Sequence, residues 1–147
     1  MDFGDFQKLV DEVKKDVRVM LFSMYGEPLL NPDTIKMMGY AERNGIKTSV
    51  STNATVLDNF IDQIFDEQIS EIIVCLDGTK KEVHEKYRVG SDFNKVLDNI
   101  ISLCREKKVR KTKKPLIILQ FLVNRYNEHQ IPDLIQLANR IGIDKIR

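Results

Sequence analysis

The sequence has no tryptophan, two cysteines and two histidines. Cys75 and Cys104 stand too far apart to form a C-x-x-C pair, and two thiols make no disulfide framework. They read as the reduced thiols of a cytoplasmic protein. Charge of either sign is not in excess, since 23 Lys+Arg face 22 Asp+Glu. No broad field therefore points to nucleic acid or an anionic membrane as a partner. No apolar run approaches the roughly 20 residues of a membrane span. The opening Met-Asp-Phe-Gly-Asp-Phe offers neither a basic n-region nor an apolar h-region, so no signal peptide is expected. Linkers, low-complexity tracts and close internal repeats are also missing.

What is present is an alternation of two periods. The chain has 147 residues, 42% of them hydrophobic, which suits one compact core. In Phe3 to Lys15, Phe6, Leu9, Val10 and Val13 share one helical face. Val17 to Met24 is a short apolar run that reads as a buried strand, stopped by Tyr25-Gly26-Glu27-Pro28. A helix is expected from Pro32, with Ile35, Met38 and Ala41 inward and Asn44-Gly45 at its end. Ile46 to Thr52 is the next strand and Leu57 to Gln68 the next helix. Ile72 to Leu76 is a third strand ending at Asp77-Gly78. A short helix near Lys80 to Tyr87 and a longer one from about Asp92 to Lys107 follow. Leu116 to Val123 is the fourth strand, Ile131 to Ile141 the last helix, and Ile143 to Arg147 the start of another strand. Strands that alternate with helices and are apolar along their length predict a parallel α/β sheet covered by helices. The chain opens on a helix and stops inside a strand, so both ends read as cuts through a longer βα repeat.

In parallel α/β folds, ligand-binding groups gather at the carboxyl ends of the strands. Gly26-Glu27-Pro28, Ser51-Thr52-Asn53, Asp77-Gly78 with Arg88 beyond, and Gln120 occupy those ends. Loops are polar in any case, so position alone does not decide. The chemistry suits an amino-acid-like ligand. Gly26 lets a ligand approach its backbone, and Glu27 can accept hydrogen bonds from an ammonium. Ser51 and Asn53 can bond ribose hydroxyls, and Arg88 can clamp a carboxylate through a planar fork. Cys75 lies in an apolar strand, where core packing and ligand contact are both open. Cys104 continues the stripe of Leu97 and Ile100 and reads as core. His84 and His129 lack metal-ligand spacing and read as solvated, as does the run Arg105 to Lys114. No metal site is expected within this chain.

The string from Leu21 to Pro32, centred on Tyr25-Gly26-Glu27-Pro28, resembles the glycine–glycine–glutamate region of radical S-adenosylmethionine (radical SAM) enzymes. Ser51 to Thr55 resembles their next strand end. Val74 to Gly78, His84 to Arg88 and Phe93 to Asn99 resemble the subgroup of SPASM-type and sulfatase-maturating enzymes. Leu119 to Val123 and Asn127-Glu128 continue the likeness, which spans nearly the whole chain. The resemblance implies part of an open TIM-type barrel, with strands two to five plus the start of six. Residues 1–147 would be a partial core domain truncated at both ends. It further implies S-adenosylmethionine as cofactor, cleaved reductively to a 5′-deoxyadenosyl radical with a 4Fe–4S cluster. Positions matching Gly26 and Glu27 meet the methionine amino group, and those matching Ser51, Asn53 and Cys75 face the ribose or carboxylate. The position of Arg88 binds the carboxylate, and that of Gln120 borders the adenine. A small-molecule or peptide substrate and an electron donor are the implied partners.

The family's C-x-x-x-C-x-x-C motif does not occur in this sequence; by the resemblance its place is upstream of Met1. This segment alone is therefore expected to be inactive. Tyr25 stands where many relatives have glycine, and Cys75 where many have serine. Two alternatives stay open: a non-catalytic α/β module that binds a small ligand or partner, and a phosphate-binding barrel enzyme. The latter calls for a glycine-rich phosphate loop, which this sequence does not contain.

Overall fold

The computed structural model describes residues 1–23 and 25–147; Met24, the last residue of the expected first strand, lies outside the described residues. The elements are α1 (Phe3–Val13), β1 (Val19–Phe22), α2 (Thr34–Arg43), β2 (Lys47–Thr52), α3 (Ile61–Asp66) and β3 (Glu71–Cys75). They continue with α4 (Lys81–Tyr87), α5 (Phe93–Val109), β4 (Leu116–Gln120), α6 (Ile131–Ile141) and β5 (Lys145–Ile146). All neighbouring strands pair in parallel, in the order β1-β2-β3-β4-β5. The sheet is open, as a partial barrel requires, because β1 and β5 do not pair.

The two faces of this sheet differ. Val50, Ile72, Val74, Ile117 and Leu119 bury against the helices in one cluster with Ile35, Ile64, Ile100, Leu103 and Leu134. Each such fully buried aliphatic side chain contributes about 1.5–3 kcal/mol. The alternate residues, Leu21, Ser49, Ser51, Ile73, Cys75, Ile118 and Gln120, point to the other face, as the strand period of two dictates. Leu21 on the edge strand is 67% exposed there, whereas Ile73 and Ile118 in the middle of the sheet are buried. On the inner face Ser49 donates to the Glu71 carboxylate at 2.6 Å.

Local chemistry sets the helix ends. Asp2 accepts from the Asp5 N–H at the start of α1, and Asp92 accepts from Asn94 and Lys95 at the start of α5. Gly142 closes α6 with φ 89°, a conformation that suits glycine.

Several boundaries differ from those expected. The first strand starts later, because the Asp16 and Val17 N–H groups still bond back to the Val13 carbonyl. The second helix begins at Thr34 after a short 3₁₀ turn at Pro28–Leu30. The expected helix from Leu57 is a 3₁₀ turn (Leu57–Phe60) leading into a short α3. There Asn99 donates to the Ala54 carbonyl at 2.8 Å and tethers the entry to that turn. The fourth strand stops at Gln120 rather than Val123, because the Leu122 N–H donates to Asp77 at 2.8 Å. No described helix is long and apolar enough to cross a membrane.

Candidate functional site

Parallel strands bring their carboxyl ends to one rim. There Gly26, Glu27, Ser51, Asn53, Cys75, Arg88 and Gln120 line a single cleft of about 270 Å³, joined by Ser23 and Thr52. The seven residues expected from sequence to contact a cofactor thus line one cleft, while Pro28, Asp77 and Gly78 do not line it. What each side chain offers a ligand depends on what it already holds.

Glu27 is the most engaged. One carboxylate oxygen accepts from Thr52 Oγ1 at 2.7 Å and from the Leu29 N–H at 3.2 Å. The other accepts from the Asn53 N–H at 2.7 Å. Glu27 therefore joins the loop after β1 to the end of β2. A carboxylate has about four acceptor positions, so one remains for a ligand donor. Thr52 was not singled out from sequence; its 1% exposure and its bond to Glu27 make it part of this support.

Gly26 lies in the left-handed region at φ 70°, and a Cβ built there would meet nothing within 4 Å. The backbone conformation, rather than a close approach from within the protein, calls for glycine at this turn. Asn53 spends its side-chain oxygen locally, accepting from the Thr55 N–H and Oγ1 at 2.9 and 2.7 Å, which leaves its amide NH₂ for the cleft. Ser51 Oγ and Cys75 Sγ lie 3.5 Å apart on neighbouring strands. Gln120 Oε1 accepts from Arg147 at 2.8 Å.

Arg88 closes the far side. Its Nε donates to Asp77 Oδ2 at 2.5 Å. The fork built on Nε is thereby taken; the two Nη groups have no acceptor among the described residues, and Arg88 lines the cleft. Burial alone would disfavour the guanidinium charge, but the Asp77 carboxylate outweighs it and raises the group's pKa above the ordinary arginine value.

His84 corrects the reading of a solvated residue. It is fully buried and packs against Phe93 with ring centroids 5.6 Å apart. Its Nδ1 accepts from the Asp77 N–H at 3.2 Å, and its Nε2 lies 3.1 Å from Ser91 Oγ. Burial and the nearby Arg88 charge push its pKa below the ordinary histidine value. The alternating charges around His84 hid this burial; Gly78 was the available signal, since a Cβ there would sit 2.5 Å from the His84 backbone nitrogen.

Both thiols are buried. Cys104 is buried among the helix-facing apolar residues, and burial with Asp144 nearby pushes its pKa up to about 11. Among the described residues no group of three or more His, Cys, Asp or Glu could hold a metal ion.

Comparison with known proteins gives this cleft its context. A sequence model described as "Radical SAM superfamily" matches residues 1–138. The chain belongs to the radical SAM superfamily. The tungsten-containing aldehyde ferredoxin oxidoreductase cofactor-modifying protein of Pyrococcus furiosus is 24% identical over 98% of this chain and 41% of its own length. Among solved structures, SuiB of Streptococcus suis bound to the precursor peptide SuiA is similar at a TM-score of 0.78 and 14% identity. The similarity covers 99% of this chain and 32% of that one. Native anSMEcpe with bound AdoMet is similar at a TM-score of 0.74 and 16% identity, over 99% of this chain and 41% of that one. The radical SAM chain described here thus spans less than half the length of each, and the likeness to the two structures is one of fold.

Proposed function

We propose that this chain is the cofactor-holding wall of a radical SAM enzyme and that its rim cleft takes the methionine and ribose end of S-adenosylmethionine. One observation carries this reading. A carboxylate with an acceptor position left, a guanidinium edge and small polar groups on neighbouring strand ends share one cleft. The ligand brings an ammonium, a carboxylate and a ribose, which are the complements of those groups. Glu27 would orient the ammonium, the Nη edge of Arg88 the carboxylate, and Ser51 with the Asn53 amide the ribose hydroxyls. Gln120, with Cys75 beside Ser51, would border the rest of the ligand.

The residues present fit S-adenosylmethionine but not the iron–sulfur cluster, which needs three thiolates. Its ligands would have to come from outside these residues. When bound, the cluster would supply an electron for reductive cleavage of the carbon–sulfur bond, with an electron donor as partner. The likeness to SuiB, which binds a precursor peptide, supports a peptide as the substrate, with a small molecule as the other class.

Equilibrium binding of S-adenosylmethionine to the full-length protein tests the reading. Arg88→Ala should weaken binding about tenfold or more, since a hydrogen bond to a charged group contributes about 1.5–3 kcal/mol. Binding that ignores this substitution would overturn the assignment.

A further inference from the structure

Asp77 is fully buried, and every polar group it has is engaged. Its carboxylate accepts from Arg88 Nε at 2.5 Å and from the Leu122 N–H at 2.8 Å. Its N–H donates to His84 Nδ1, and its carbonyl accepts from the Asn127 side chain at 3.1 Å. The His84 ring must be neutral at Nδ1 to accept, so its proton sits on Nε2 and is donated to Ser91. Three segments therefore meet at one residue: the end of β3, α4 through His84 and its C-cap Arg88, and the turn after β4.

A carboxylate buried this deeply is costly unless it is paired. Leu122 would be served by a neutral acceptor, and Asn127 bonds the backbone carbonyl whatever the side chain. The pairing with a charged partner is spent on Arg88 alone, and through Nε rather than the Nη edge. An arginine on the end of a helix has several soft torsions, and fixing its Nε leaves the opposite edge aimed in one direction. The Arg88 N–H, bonded to the His84 carbonyl at 2.8 Å, fixes the backbone of the same residue.

We infer that Asp77 and His84 are positioning residues that hold the Nη edge of Arg88 in the cleft to receive the ligand's carboxylate. The inference rests on the cofactor reading above and adds to it two residues that touch no ligand. His84 sets the Asp77 backbone, Asp77 sets the guanidinium, and the guanidinium meets the ligand.

Two probes separate this role from a general structural one. S-Adenosylhomocysteine carries the carboxylate; 5′-methylthioadenosine shares the adenine and ribose but lacks the amino-acid part. Both are titrated calorimetrically into the full-length protein and its Asp77→Asn variant. Asn keeps the shape but has one oxygen for two donors: facing Leu122 it turns its NH₂ on Arg88, and facing Arg88 it holds the guanidinium by a neutral bond only. Affinity for S-adenosylhomocysteine should fall roughly three- to tenfold, the equivalent of immobilising one long side chain again on binding, while methylthioadenosine binds as before. In an Arg88→Ala background Asp77→Asn should add no further loss, since both act through one group. Equal losses for the two probes, no loss for either, or additive losses in the double variant would overturn the inference. If the unaltered protein binds neither probe, the cofactor reading fails and the inference with it. Should Asp77→Asn not fold, Ser91→Ala removes only the outermost link. A smaller loss confined to S-adenosylhomocysteine is then expected, and an equal loss for both probes, or none, overturns the inference.

Discussion

Replacing Glu27 with Gln removes a charge while keeping the shape, and the structure allows its cost to be worked out. One oxygen of Glu27 serves Thr52 and Leu29, and the other serves Asn53. An amide presents one oxygen and one NH₂. If the NH₂ faces Asn53, the Asn53 N–H loses its acceptor. If it faces the other way, Thr52 can turn its hydroxyl to accept, but the Leu29 N–H cannot, and it is left unpaired. Either orientation strands one backbone donor. A buried unsatisfied donor costs about 1–3 kcal/mol, and the surviving bonds fall from charge-assisted to neutral strength. Glu27→Gln should therefore destabilise the protein by about 1–3 kcal/mol in urea unfolding with an unchanged m-value. On the proposed cofactor reading it should also weaken S-adenosylmethionine binding roughly tenfold to a hundredfold, the loss of one charge-assisted bond to the ammonium. Stability within about 0.5 kcal/mol of the unaltered protein would refute the bridging role. Lost stability with unchanged affinity would leave Glu27 a structural bridge and refute its contact with the ammonium.

Two further outcomes concern the ground beneath the cleft. His84 has a lowered pKa because burial and Arg88 disfavour its charge, with Asp77 and Glu85 opposing more weakly. The unfolded chain therefore takes up a proton near pH 6.5 that the folded chain refuses, so the His84 contribution to stability should fall as pH drops below about 6.5. His84→Asn, whose side-chain oxygen can still accept from the Asp77 N–H, should flatten that part of the profile in urea unfolding at stepped pH; an unchanged slope would contradict the neutral ring. Gly78→Ala places a methyl 2.5 Å from the His84 nitrogen and should lower stability by about 1–3 kcal/mol through overpacking; an unchanged melting temperature would show that the contact relaxes.

How much of this was legible in the sequence follows from what each residue's neighbours are. Strands such as Ile72 to Leu76 announce themselves, because a run buried on both sides has no polar alternation to hide in. The rim could be located for the same reason: in a parallel sheet the chain order of strands fixes which loops share an end. Partners across that rim could not. Nothing local says that Glu27 reaches Thr52 or that Asp77 receives the Leu122 N–H, since those contacts join positions 25 and 45 residues apart. His84 failed for a related reason. Its helix reads as charged on every side, and only the packing of the Gly78 turn onto α4 decides which residue is covered. The likeness of the Tyr25-Gly26-Glu27-Pro28 string points to a ligand class; the geometry shows which residue holds which.

The two carboxylates Glu27 and Asp77 each accept from the backbone N–H of a loop they do not belong to, Asn53 for one and Leu122 for the other. A loop held that way has lost its freedom before any ligand arrives. Binding then has little ordering left to do, and ordering is a main cost of association. The same bonds make adjacent loops one mechanical unit: a displacement at the turn after β1 pulls on the end of β2, and one at α4 pulls on the turn after β4. A rim of this kind resists being reshaped to a new ligand one loop at a time, and exchange of the ligand's remote portions is easier to accommodate deeper along the inner face, where Ser49, Ile73 and Ile118 tie no loops together.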